Sequence, residues 1–258
     1  MPRLSQAASL PRAFLAPLTL AALLLAPLPA AAWKDHTRTY DEDWHMDLQV
    51  QTEVPLQVGG RITLETPYRL RISTSMGWLP PAYLDLVNVV MVAAGAYKQS
   101  TADLLSASLD DALIWKIRLG WRPFKDHGFY FEAGYALATL GGGIGAEELI
   151  TAATGKKLDP LLGLADKEYD LDATLHMIDV ELGWIWLVAK DAISIRLEVG
   201  FTATLGASAT VTPRFTPPAV ARDQVADWTR QAADYLERTC RTYVMTPVIG
   251  LGIGWRPM

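Results

Sequence analysis

Cysteine is nearly missing from this chain: among 258 residues only Cys240 carries a thiol, so no intramolecular disulfide framework is available. Positive charge is also short, with 23 Lys and Arg against 28 Asp and Glu and a net charge of −5. An acidic chain is poorly suited to nucleic acid, because phosphate binding rests on concentrated Lys and Arg. Past the first thirty or so residues no apolar run is long enough for a spanning helix, which wants about 20 residues. Metal-binding patterns are lacking too. His36, His45, His127 and His176 are dispersed, with no pair at i,i+4 and no cysteine companions. Asp41-Glu42-Asp43 lacks the spaced ligands of a calcium loop and reads as a solvated acidic stretch. Gly141-Gly142-Gly143-Ile144-Gly145 lacks the Lys-Ser/Thr ending of a phosphate loop and follows a strand pattern of antiparallel type, so it reads as a flexible loop base. These absences leave no catalytic, cofactor or metal signature, and the expectation is a protein that is not an enzyme.

What is present begins with a leader. Arg3 and Arg12 precede an apolar stretch from Phe14 to Leu28, and Pro29-Ala30-Ala31-Ala32 supplies small residues at a cleavage site. Pro17, Pro27 and Pro29 argue against a membrane anchor. The expected division is a signal peptide over 1–32, a periplasmic segment over 33–45 and a β domain over 46–258.

That domain is dominated by alternation. In Leu113-Ile114-Trp115-Lys116-Ile117-Arg118-Leu119-Gly120-Trp121 the odd positions are apolar, while most even ones are charged or glycine. Strand geometry sends neighbours to opposite faces, giving one apolar and one charged face. The same pattern predicts strands near 46–65, 68–78, 112–123, 128–140, 173–188, 192–210 and 242–256. Thr66-Pro67, Phe124 to His127 and Lys190-Asp191 read as tight turns, whereas the links near 79–111, 141–172 and 211–241 are long. Alternating short turns and long loops is the habit of an outer-membrane β-barrel, whose apolar face meets lipid.

The two faces are then assigned. An aromatic girdle is expected from Trp78, Trp115, Trp121, Phe129, Trp186, Tyr243 and Trp255. A lumen charge network is expected from Arg69, Arg71, Lys116, Arg118, Arg122, Glu132, Asp179, Glu181, Arg196 and Glu198, both signs pairing across a narrow interior. Gly120, Gly134, Gly183, Gly200, Gly250, Gly252 and Gly254 share that inner face. An eight-stranded barrel is just wide enough for side chains to fill, so the lumen is expected to be plugged. Seven strands are clear, and an even number requires an eighth. It comes either from a break in 46–65 near Val54-Pro55 or Gly59-Gly60, or from another strand in 33–45 or 79–111.

Helical spacing of Tyr83, Leu84, Leu86, Val87, Val90, Met91 and Ala94 predicts a helix after Pro80-Pro81. A second lies between Pro218 and Cys240, where Ala221, Val225, Trp228, Ala232, Tyr235 and Leu236 recur, and Thr101 to Asp110 is a third candidate. His176 falls on the outward parity near a long loop. Barrel-type lipid deacylases place a Ser close after such a His, but Met177-Ile178-Asp179 follows here, so it reads as an interfacial polar residue.

Together the leader, the alternating strands, the turn-and-loop rhythm and the final strand Tyr243 to Trp255 resemble the small outer-membrane β-barrel proteins of the OmpA/OmpX/OmpW type. Arg256-Pro257-Met258 after the last aromatic residue, and Pro247 within the strand, depart from the usual terminal strand. The resemblance implies an all-β, antiparallel, up-and-down transmembrane barrel of eight strands with helical segments in long extracellular loops. It also implies the outer membrane of a Gram-negative bacterium, contact with outer-membrane lipid and passage through the barrel-assembly machinery. The implied role is structural or surface display. Other readings left open are transit of small apolar solutes, a lipid-modifying enzyme and a soluble lipocalin-like barrel.

Overall fold

The alternating segments form eight antiparallel strands: β1 His45–Val54, β2 Gln57–Glu65, β3 Leu70–Trp78, β4 Asp111–Trp121, β5 Phe129–Gly145, β6 Glu168–Val188, β7 Ile193–Pro213 and β8 Met245–Trp255. Each pairs with its neighbour in sequence, and β8 pairs with β1 to close the ring. The computed structural model describes residues 43–93, 106, 111–124, 127–147, 149, 167–218 and 222–257. The proposed leader, most of the 33–45 segment, and all of 101–110 but Ser106 lie outside the described residues. Among the described residues no helix is long and apolar enough to cross a membrane.

The eighth strand comes from the break at Val54-Pro55. Pro55 has no N–H to donate to a ladder, and Leu56 N donates instead to Glu53 O at 2.6 Å, turning the chain. This turn joins β1 and β2 at the same end as the long loops, so one connection at that end is short. Both described chain ends then lie at the opposite, tight-turn end. There, Arg69 with φ 66° closes the β2–β3 turn by donating its N–H to Thr66 O at 2.8 Å.

Following paired residues around the ring from His176 through Leu137, Trp115, Met76, Gly60, Val50, Ile253 and Ile195 returns to β6 at Trp186, ten residues further along. Such a stagger tilts strands by roughly 40° to the barrel axis. A tilted strand needs about 9–11 residues to cross a bilayer. β1 to β4 and β8, of 9 to 11 residues, fit that length. β5, at 17, and β6 and β7, at 21 each, exceed it. Their surplus stands at the long-loop end as a three-stranded wall.

Gly141 to Gly145, expected as a loop base, are strand residues instead. They pair with Glu168 to Asp172, because the ladder between β5 and β6 continues through the glycines.

Two longer helices, described from end to end, accompany the strands. α1, Pro81–Ala93, follows β3 and starts with a proline, which suits a first helical position. Its Tyr83 hydroxyl meets the Thr52 hydroxyl at 2.5 Å, and its Asn88 side chain donates to Ser106 Oγ at 2.8 Å. α2, Arg222–Tyr243, lies against β7 and leads directly into β8. Val225, Ala232, Leu236 and Cys240 are buried on one helical face, while Asp223 in the first turn and Arg241 in the last complement the helix dipole.

Tyr243 ends this helix and is not on β8, which corrects the expected start of the last strand near 242. Val244 N donates to Cys240 O at 3.1 Å, so helical bonding runs through this point and β8 begins only at Met245.

Candidate functional site

The interior between the strands is where the unusual chemistry is concentrated. Glu132 on β5 accepts from Arg61, from Arg71 Nε at 2.9 Å and from Ser73 Oγ at 2.8 Å. Arg71 also donates to Glu65 at 2.9 Å and lies 4.0 Å over the Tyr130 ring. Arg122 Nε donates to Glu65 at 2.8 Å. Around Glu53, Lys116 Nζ donates at 2.5 Å, Arg118 Nη2 at 2.9 Å, Gln51 Nε2 at 2.8 Å and Gln57 Nε2 at 3.0 Å. Lys116 and Arg118 also reach Asp179, at 2.9 and 2.5 Å, and Arg118 reaches Glu181 at 2.7 Å. Glu198 accepts from Arg61 Nη1 at 2.9 Å and Tyr130 Oη at 2.7 Å, and pairs with Arg196 at 3.3 Å.

Among the described residues the buried carboxylates facing this space are Asp47, Glu53, Glu65, Glu132, Asp179, Glu181 and Glu198. The buried cations are Arg61, Arg71, Lys116, Arg118, Arg122, Arg196 and Arg256. The signs balance one for one. Isolated buried charges carry desolvation penalties of several kcal/mol each, and such balance is what makes their burial tolerable. Glu53, Glu181 and Glu198 bring carboxylate oxygens within 4.8 Å of one another, but each is already bonded or paired to a cation, so the trio is the acidic half of this network.

β8 contributes space instead of charge. A Cβ on Gly254 would stand 2.3 Å from Asp47 Oδ1 and 2.5 Å from Ser194 Oγ, so the side chains of β1 and β7 fill the volume that β8 leaves. Gly183 likewise yields to the Tyr130 ring, 2.2 Å from a would-be Cβ.

Nine of the ten expected lumen residues sit in this network. Arg69 does not. It is a half-buried turn residue with positive φ, and its Nη1 donates to Pro123 O at 3.1 Å, bracing two turns outside the lumen. Glu53, Arg61, Glu65, Asp47 and Tyr130 belong to the network but were not foreseen. Four of them lie in the stretch whose strand break was open, and Tyr130 was hidden among outward aromatics.

Above the charge layer, toward the long loops, the interior becomes apolar. Leu56, Leu79, Ala112, Ile114, Ala136, Ala138, Met177 and Val248 join one buried cluster with the inner face of the wall and α2. The mouth at that end is stoppered by hydrocarbon.

The outer surface has the opposite character. Val50, Ile62, Ile72, Met76, Leu119, Leu182, Leu251 and Ile253 are all exposed. Trp121, Trp186 and Trp255 stand exposed near the tight turns, with Phe129 packed on Trp184 at 5.2 Å, while Trp78 and Trp115 lie nearer the loops. His176 points outward and is hydrogen-bonded through Nδ1 to the Tyr135 hydroxyl.

A ring of exposed apolar side chains about one bilayer-crossing tall, with charge sealed inside, is a membrane-spanning surface. The protein is an eight-stranded antiparallel β-barrel whose outer surface is built to span a membrane.

No protein-family model and no curated protein sequence matches the chain. Among solved structures it is similar to CarO2 of Acinetobacter baumannii, with 11% identity over 83% of this chain and 98% of that one at a TM-score of 0.37. It is similar also to CarO of Acinetobacter baumannii, with 11% identity over 82% and 96% at a TM-score of 0.35. A third is a major outer membrane protein from Thermus thermophilus, with 7% identity over 84% and 100% at a TM-score of 0.43.

Proposed function

We propose that this barrel is a closed, non-enzymatic membrane anchor that displays a folded cap at the cell surface. The observation that carries the reading is the double closure of the lumen. A hydrated solute would have to cross a balanced layer of buried ion pairs and then an apolar stopper. Parting such pairs leaves charges uncompensated in a buried layer, which favours the closed lumen.

The cap consists of the projecting ends of β5 to β7 and α2, whose outer faces carry Asp170, Asp172, Thr210, Thr212, Asp227 and Arg230. Display suits a surface of this kind, with polar groups outward and a packed interior. The partners this reading requires are outer-membrane lipid around the belt and the barrel-assembly machinery during insertion. It calls for no nucleic acid, cofactor or metal. The leader over 1–32 supplies the export that the reading requires.

The test is single-channel recording of the refolded protein in planar bilayers, with folding verified by a heat-modifiable gel band. The expected trace is flat. Discrete, reproducible conductance steps from folded protein would overturn the closed-anchor reading in favour of solute transit.

A further inference from the structure

The outward row through β1, β2, β3 and β4 is Val50, Gly60, Met76 and Trp115, each the paired neighbour of the next. Three members are large and exposed, and the fourth has no side chain. A Cβ built on Gly60 would meet only Gln49 O, at 3.8 Å, so the space over it is open. The result is a groove of about 570 Å³ in the outer wall, walled by Leu48, Val50, Ile62, Met76 and Trp115 with Gly60 as its floor. Its one outward polar group, Thr74, is already committed: the hydroxyl accepts from Trp115 Nε1 at 3.0 Å and donates to Lys116 O at 3.1 Å. On the loop side the next row is Thr52, Val58 and Trp78, and Tyr83 of α1 meets Thr52 there at 2.5 Å.

We propose that this groove seats one acyl chain of a bilayer lipid, held in register by the missing side chain at Gly60. The proposal rests on the membrane-barrel reading, because the groove lies inside the apolar belt and hydrocarbon is what surrounds it. Width selects the occupant. The strands flanking β2 stand about 10 Å apart, and Val50 on one and Met76 on the other take up part of that width, leaving a slot suited to a slender chain. A helix, about 10–12 Å across, does not enter. A second convex barrel touches the rims of the groove without reaching its floor. An unfilled depression would forfeit dispersion contacts along its lining, which a flexible chain restores.

The test uses vesicles of phosphatidylethanolamine and phosphatidylglycerol doped with a phosphatidylcholine bearing a diazirine on one acyl chain. After irradiation the adducts are mapped by mass spectrometry. The expected result is labelling at Val50, Met76 and Trp115 several-fold above that at Leu182 and Leu251, which are similarly exposed. Gly60→Leu should abolish the excess while the heat-modifiable band persists. Even labelling around the belt overturns the groove and leaves the barrel standing, as do protein–protein crosslinks through Met76 in place of lipid adducts. Absence of labelling at every outward position overturns the membrane reading as well. If Gly60→Leu fails to insert, the wild-type map alone decides.

Discussion

Strand β6 contains two proteins' worth of logic in one run of 21 residues. From Ile178 to Trp186 the outward positions are Ile178, Val180, Leu182, Trp184 and Trp186, and the inward ones include Asp179 and Glu181. From Glu168 to Met177 the arrangement is reversed. Glu168, Asp170, Asp172, Thr174 and His176 face out, while Tyr169, Leu171, Ala173, Leu175 and Met177 are buried. The side-chain period never breaks, yet the apolar set changes face at residues 177 and 178. The solvent against the outer wall changes at that height from hydrocarbon to water, and the chain answers by exchanging its faces. A register irregularity between β6 and β7 falls at the same place, between His176 and Met177. The lower region is stabilised by charge balance within and lipid without; the upper one has the ordinary hydrophobic core of a soluble domain.

The largest effect should come from the lower region. Glu132 is fully buried and holds Arg61, Arg71 and Ser73. Glu132→Ala takes one carboxylate partner from each of two buried guanidinium groups and should cost about 3–5 kcal/mol, read as a loss of urea resistance of the folded barrel in lipid. A variant as stable as the parent would mean that the lumen is wet enough to solvate those cations, and the comparison between regions would lose its basis.

The upper region should respond to a different kind of change. Leu236 is 1% exposed in the face of α2 that meets the wall. Leu236→Ala should cost about 2–5 kcal/mol, spent on the cap alone. Cys240, one turn further along the same face, reports it: burial pushes its thiol up to about 11, so the native protein should resist alkylation and the variant should react. The sign of the pH dependence follows. Folding favours the neutral thiol, so its contribution is intact below the ordinary thiol pKa and fades as pH rises toward 11. Survival of the heat-modifiable band with a reactive Cys240 would show two separable units, and joint loss would make them one.

Much of the lower region was legible in the sequence, because lipid and a charged lumen impose a strict alternation on β3, β4 and the lower half of β7. The upper region was not, for a definite reason. Gly141 to Gly145 read as a loop base, and Glu168, Asp170 and Asp172 fell in the expected long link, so β6 was expected to start at 173 and β5 to end at 140, five residues short in each case. Asp47, Glu53, Arg61 and Glu65 were missed for another reason. The inner face of β1 and the start of β2 carries uncharged Gln49, Gln51 and Gln57, which mask the charge alternation on which the reading depended. Arg69 was misplaced because a turn residue shares the parity of the strand it precedes.

The boundary itself can be probed on β7. Leu197 faces outward between Trp184 and Leu251 in the belt, and Thr210 faces outward beside Asp172 in the wall. Leu197→Arg should cost roughly 2–4 kcal/mol if it lies near the bilayer midplane. Thr210→Arg on the same strand should be tolerated, since water and a carboxylate receive it. Folding yields into vesicles compare the two directly, and equal tolerance would dissolve the boundary drawn at residue 177.

The smallest effect should come from the same chemical pair placed on the other side of that boundary. Arg214 reaches Glu168 at 2.9 Å and Asp170 at 2.5 Å, distances like those of the lumen pairs. Its hydrogen bonds to Asp170 and then Glu168 raise the guanidinium pKa, but side chains on both sides of the pairing remain about half exposed. Water screens such a pair and supplies replacement partners when one member is removed. Arg214→Ala should therefore leave the urea midpoint of the cap unmoved at physiological salt, whereas Arg71→Ala, deleting the same group against Glu132 and Glu65, should lower that of the barrel sharply. The geometry is nearly common to both sites, so the contrast isolates the medium. A large loss at Arg214 would mean that the outer face of the wall is covered by something other than water.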